Sequence, residues 1–250
     1  MLPLLIAAAL QAAAPPSDLD QYRACAALAK SEPQAAVDRA GEWLVRGGGM
    51  LARQCQGLAF VGLERWPAAA AAFEAAAKAA ETAQDPARAD FWTQAGNARL
   101  AGGEPAEAVR AFDAALATTA LSDPLRGETH LDRARAQVAL GDLPAARRDL
   151  DRATQLVPDD AMAWYLSSAL ALRQDDLGRA QADVARAVKL APSDAAIQLH
   201  AGNVAGRSGE ADAARTFFEI AIRLAPGSDT AKAAEAALAA NAGAEGSSNP

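Results

Sequence analysis

The chain has 250 residues and a formal net charge of -7; 51% of its residues are hydrophobic, 22% charged and only 5% aromatic. That acidic balance argues against a general nucleic-acid binder, which needs a basic surface to displace counterions from phosphates. The apolar content rules out wholesale disorder, and 71 alanines beside few β-branched or aromatic residues leave strands poorly supplied and helices favoured.

Residues 1–14 (MLPLLIAAALQAAA) are apolar over about half the ~20 residues that a bilayer span requires. The length and the small-residue end match a signal-peptide core, with Ala12 to Ala14 the best Ala-x-Ala cleavage site. No Lys or Arg precedes the run and Pro15 follows the site; the alternative is a first helix, broken from the rest by Pro15-Pro16. The expectation is a periplasmic or secreted protein, with a cytoplasmic one as the alternative. No later segment is apolar for long enough to be an integral membrane span.

Residues 18–49 read as a divergent helical pair, Tyr22–Lys30 and Ala35–Arg46 around Glu32-Pro33, ended by Gly47-Gly48-Gly49. From 50 to 228, helical segments of about 12 to 14 residues alternate with turn signals such as Gly102-Gly103-Glu104-Pro105, Gly141-Asp142-Leu143-Pro144, Asp175-Asp176-Leu177-Gly178 and Ser208-Gly209-Glu210. Pro158, Pro192 and Pro226 stand 34 residues apart, and the residues around them recur in step. Twelve positions before each proline is an alanine (Ala146, Ala180, Ala214), five before another (Ala153, Ala187, Ala221), and eight before a larger apolar residue (Leu150, Val184, Phe218). A fixed period with small residues at fixed phases means stacked, equivalent units.

On these residues the chain resembles the tetratricopeptide repeat family, whose 34-residue unit is a pair of antiparallel helices. The family favours a bulky residue at position 4, small ones at 8, 20 and 27, an apolar one at 24 and proline at 32. Ala161 to Asp194 fits with Trp164, Ser168, Ala180, Val184, Ala187 and Pro192; Ala195 to Ser228 fits except that Gln198 takes the bulky slot, and Gly127 to Asp160 puts His130 there. Earlier units carry Trp92, Gly96, Asn97, Ala108, Phe112 and Ala115, and before them Gly57, Phe60, Trp66, Ala69, Phe73 and Ala76. Their anchors Gly57, Gly96 and Ala134 are 39 and 38 apart, which places insertions at Thr82 to Pro86 and Thr119 to Pro124. The resemblance implies an all-α, right-handed superhelical solenoid of antiparallel helix pairs. It would hold about five to six repeats (a divergent one at 18–49, the rest in 50–228), a capping helix at 229–242 and a disordered tail at 243–250.

Enzyme chemistry has no visible carrier: no phosphate-binding, zinc-protease, nucleophile-elbow or calcium-loop motif occurs. Asp159-Asp160 and Asp175-Asp176 read as helix caps, Trp92 and Trp164 as packing residues, and neither His130 nor His200 has a carboxylate partner at helical spacing. The expectation is no catalytic residue, no cofactor and no metal site. The two cysteines, Cys25 and Cys55, suit a disulfide in an exported chain, with two buried thiols as the alternative. In arrays of this family successive first helices lie side by side, and Cys25 and Cys55 fall on adjacent ones.

The resemblance also implies a concave groove lined by first-helix positions 2, 5, 9, 12 and 13. Carried over, these are Asp90, Thr93 and Asn97; Glu128, Leu131 and Arg135; Met162, Tyr165 and Arg173; and Leu199, Asn203 and Arg207. Asn97 and Asn203 stand where relatives hydrogen-bond a peptide backbone, and Arg135, Arg173 and Arg207 would form a basic ridge suited to carboxylates. Thr93 and Leu131 occupy positions where chaperone-binding relatives need lysine. The expected function is a non-catalytic scaffold that binds a protein or peptide partner in the groove. The alternative is a structural subunit of a cell-envelope assembly that uses its convex face or ends. Homo-oligomers stay open.

Overall fold

Aspartates recurring at 34-residue intervals start four helices of the regular repeats. Asp142, Asp160, Asp176 and Asp194 each accept a hydrogen bond from the backbone N–H of a first-turn residue, at 3.0 Å from Ala145, 2.8 Å from Met162, 3.1 Å from Arg179 and 2.8 Å from Ala196. Proline opens other helices, at Pro33 and Pro105, where no intrahelical N–H bond is lost. Left-handed residues separate the two helices of a pair: Gly141, Asp175 and Gly209, again 34 apart, have φ of 79°, 61° and 80°. Asp175 therefore holds a conformation that glycine adopts without strain in the units on either side.

The computed structural model describes residues 16–119 and 121–247. The expected signal peptide at 1–14 lies outside them, as do residues 248–250. Among the described residues there are thirteen α-helices and no strand, an all-α repeat solenoid. They are α1 (Asp18–Ser31), α2 (Pro33–Val45), α3 (Gly49–Gly62), α4 (Trp66–Thr82), α5 (Arg88–Ala101), α6 (Pro105–Leu116), α7 (Asp123–Leu140), α8 (Leu143–Leu156), α9 (Ala161–Arg173), α10 (Leu177–Leu190), α11 (Ala195–Arg207), α12 (Ala211–Leu224) and α13 (Asp229–Ser247). None is long and apolar enough to cross a membrane. The last helix extends beyond the expected end at 242 and takes in part of the stretch read as a disordered tail. Its alanine content carries it past Gly243.

The chain falls into two compact units that meet at Phe91 and Trp92, inside α5. In the first, α1 packs on α2 and α3, and α3 on α4. Ala29, Ala36 and Ala59 form one small cluster, and Cys25, Ala40 and Cys55 another. The Cα atoms of Cys25 and Cys55 lie 6.0 Å apart, with the sulfurs at bonding distance. In the second unit the core is again a chain of clusters, each shared by three consecutive helices. Leu131, Leu150 and Leu170 join α7, α8 and α9; Ala171, Val184 and Val204 join α9, α10 and α11; Ala205, Phe218 and Ala234 join α11, α12 and α13. Each helix pair completes its core only with the next one, as in a one-dimensional array.

One side-chain pair sets the closeness of each helix hairpin. Positions 8 and 24 face one another, and their sizes trade off. Where position 24 is Phe73, Phe112 or Phe218, position 8 is Gly57, Gly96 or Gly202; where it is Leu150 or Val184, position 8 is Ala134 or Ser168. A Cβ placed on Gly57 or Gly96 would sit 2.5 Å from the facing ring, and one on Gly202 would collide with Phe218 in the same way. In two repeats position 4 reaches back to the preceding proline. The Trp164 indole N–H donates to the Pro158 carbonyl at 2.8 Å, and the Gln198 amide donates to the Pro192 carbonyl at 2.7 Å.

The insertions sit between repeats. The first lies where a 17-residue α4 gives way to the connector before α5. At the second, the Arg126 guanidinium donates to the carbonyls of Leu116 and Thr118, each at 3.2 Å, and ties the connector to α7.

Candidate peptide-binding groove

Within the second unit the first helices of successive pairs are α5 (from Trp92), α7, α9 and α11. Their caps and the small residues at position 8 fix which side faces solvent. On that side Asn97, Glu128, Arg135, Met162, Arg173, Asn203 and Arg207 are exposed, and Tyr165 and Leu199 are half-buried. Two of the carried-over residues are not groove side chains. Thr93 is 8% exposed, its hydroxyl 3.2 Å from that of Thr129 on α7, and Leu131 is 7% exposed within the α7–α8–α9 cluster. Bulk apolar packing claims Leu131, and the buried hydroxyl pair claims Thr93. Asp90 is exposed but belongs to the first unit.

The expected basic ridge is uneven. Arg135 pairs with Asp132 on its own helix at 3.2 Å, and Arg207 reaches Asp175 at 2.7 Å. Arg173 has no carboxylate partner among the described residues and is exposed at the end of α9. Between α7, α8 and α9 an apolar recess of about 260 Å³ opens on this face. Val138, Leu150, Leu166 and Leu170 line it, and Arg135 and Arg173 stand at its edges.

The seam between α9 and α11 is bridged by side chains. His200, one repeat after Leu166, lies edge-on to Tyr165 with ring centroids 5.1 Å apart. The Ser168 hydroxyl donates to the Ala180 carbonyl at 2.8 Å, so its oxygen accepts from His200 Nε2–H at 2.9 Å. That arrangement selects the neutral Nε2–H tautomer, and burial pushes the imidazole pKa down to about 4.

A polar network escaped sequence reasoning because its members lie on different helices. Asp149 is buried on α8. Arg133 on α7 grips it through Nε at 2.7 Å and Nη2 at 2.6 Å, and His130 reaches it at 2.8 Å. Arg133 also bonds Asp113 on α6 at 2.5 Å. Burial pushes the Asp149 carboxyl up, but the hydrogen bonds from Arg133 and His130 outweigh it and hold the pKa below the usual carboxylate range. So His130 does have a carboxylate partner, across the helix pair rather than along the helix. One repeat later Asp183 bonds Ser167 and Arg179, while Arg147 bonds Ser167 and Asp151. The available signal was Asp149 and Asp183, 34 residues apart and each next to a core position. These carboxylates are committed to neighbouring helices, and no group of His, Cys, Asp or Glu among the described residues could hold a metal ion.

The tetratricopeptide repeat family model matches residues 56–123, 131–180 and 169–229. The chain belongs to the tetratricopeptide repeat family. No curated protein matches it. Among solved structures, this tetratricopeptide protein is similar to PilW, described as a widely conserved type IV pilus biogenesis factor. The two share 18% identity over 88% of this chain and 98% of that one, with a TM-score of 0.72. PilF of Pseudomonas aeruginosa gives 14% identity, 88% and 99% coverage and a TM-score of 0.69. YrrB, described as a tetratricopeptide repeat protein with an unusual peptide-binding site, gives 18% identity, 78% and 96% coverage and 0.57. At these identities the likeness is one of fold. α1 and α2 precede the region that the family model matches.

Proposed function

We propose that this protein is a non-catalytic scaffold which binds a protein or peptide along the first-helix face of its second unit. The observation that carries the reading is the recurrence of exposed polar residues at equivalent phases, Asn97 and Asn203 above all, on helices whose opposite faces are buried in the repeat cores. Such a surface offers side-chain amides and guanidinium groups from helices whose backbone needs no further ordering. The test is photocrosslinking in the native cell, with a benzophenone residue at Asn97, Met162 or Asn203 and, for comparison, at Lys189 on a second helix. Adducts from the first set support the groove; adducts from Lys189 alone overturn it. They would then favour the second reading, a structural subunit of an envelope assembly, to which the likeness in fold to a pilus biogenesis factor lends support.

The same reading places the scaffold outside the cytoplasm, with Cys25 and Cys55 joined as a disulfide. The apolar leader in the sequence and the buried, adjacent cysteines support it. A mature amino terminus at Met1 refutes export, and two reactive thiols in the purified protein refute the disulfide.

A further inference from the structure

The recess between α7, α8 and α9 deepens the scaffold reading, on which it rests. We infer that it seats one large apolar side chain of an internal, acidic peptide segment, with flanking side-chain carboxylates held by Arg135 and Arg173.

Three observations lead there. The recess is apolar and small: at about 260 Å³ it falls below the roughly 300–1,000 Å³ of ordinary small-molecule sites, which suits a single anchoring side chain. Its edges are cationic on both sides, Arg135 from α7 and Arg173 from α9. Arg173 has no carboxylate partner among the described residues, and Arg135 is matched only by Asp132 on its own helix, so a carboxylate arriving beside the anchor gains charge-assisted hydrogen bonds. Finally, the next seam is built differently. One repeat later His200 stands where Leu166 stands here and reaches across to Tyr165 and Ser168. An anchor in a pocket with a polar rim is the arrangement that concentrates binding energy at interfaces.

The probe is a fluorescein-labelled, carboxy-amidated pentapeptide with a central leucine flanked on each side by aspartates, titrated by anisotropy into the full chain. Saturable binding is expected. Replacing the leucine by serine, or the aspartates by lysines, should weaken it at least tenfold, as should Arg173→Glu or the recess-filling Ala169→Leu. Circular dichroism and the melting curve verify that each variant is folded, and Lys189→Glu should stay within twofold. Equal binding of the lysine peptide, or no effect of both Arg173→Glu and Ala169→Leu, overturns the inference. So does tighter binding of an alanine-flanked leucine peptide with a free terminal carboxylate, which would assign the charge to a chain end. If the pentapeptide fails to bind while crosslinks still form at Asn97 and Asn203, the recess inference falls and the scaffold stands. If the crosslinks fail too, both fall.

Discussion

Replacing Gly96 by alanine puts two effects of opposite sign on one atom. In a helix interior the change alone stabilises by about 0.5–1 kcal/mol, because alanine loses less backbone freedom on folding. Here the new Cβ would stand 2.5, 2.7 and 2.8 Å from three carbons of the Phe112 ring. Phe112 is fully buried, packed with Ala108 and Ala136, and has nowhere to turn. Overpacking of this kind costs about 1–3 kcal/mol, so the net expectation is a loss of up to about 2.5 kcal/mol. Phe112→Leu alone should also cost about 1–2 kcal/mol by leaving a cavity. The double variant rebuilds the pair that the next repeat already uses, Ala134 with Leu150, and should be more stable than the two single losses imply by about 1 kcal/mol or more. Denaturant unfolding of the four proteins, with amide exchange in α5 and α6 as a local readout, measures the coupling. A Gly96→Ala protein that is stabilised by the full propensity gain, or single effects that add to within about 0.5 kcal/mol, would refute the size trade-off.

The buried His200 has a folded-state pKa of about 4, below its unfolded value, so the unfolded chain takes up a proton first. Stability should therefore fall as pH drops from about 6.5 towards 4, by about 2 kcal/mol between pH 7 and 5, and His200→Gln should flatten that slope in urea titrations. Arg133→Met strands the buried Asp149 with only His130 and should cost about 3 kcal/mol or more, read as a lower denaturation midpoint. A loss below about 1 kcal/mol would mean that the carboxylate finds water.

The helix pairs were legible because their determinants are local: a capping aspartate, a proline and an alanine at fixed offsets. The groove was legible only in part. Periodicity puts Thr93 and Leu131 on the same stripe as Asn97 and Arg135, but the neighbouring helix decides which members of that stripe stay in solvent. Leu131 is drawn in by Leu150 and Leu170, and Thr93 by Thr129. The grip of Arg133 on Asp149 was invisible for the same reason, since its partners are 16 residues apart and converge only when α7 and α8 pack. The recess, too, arises from packing. It depends on Leu166 standing where the next repeat has a histidine that reaches across.

Trp164 and Gln198 differ in ring, volume and polarity, yet both donate a hydrogen bond to the proline carbonyl six residues upstream. What these two repeats share at that site is reach and a donor, not bulk. Evolution could thus erode the aromatic signature of such hairpins while leaving the clasp between one hairpin and the next intact. Searches keyed to hydrogen-bond donors there would recover worn members of an array that searches keyed to size pass over.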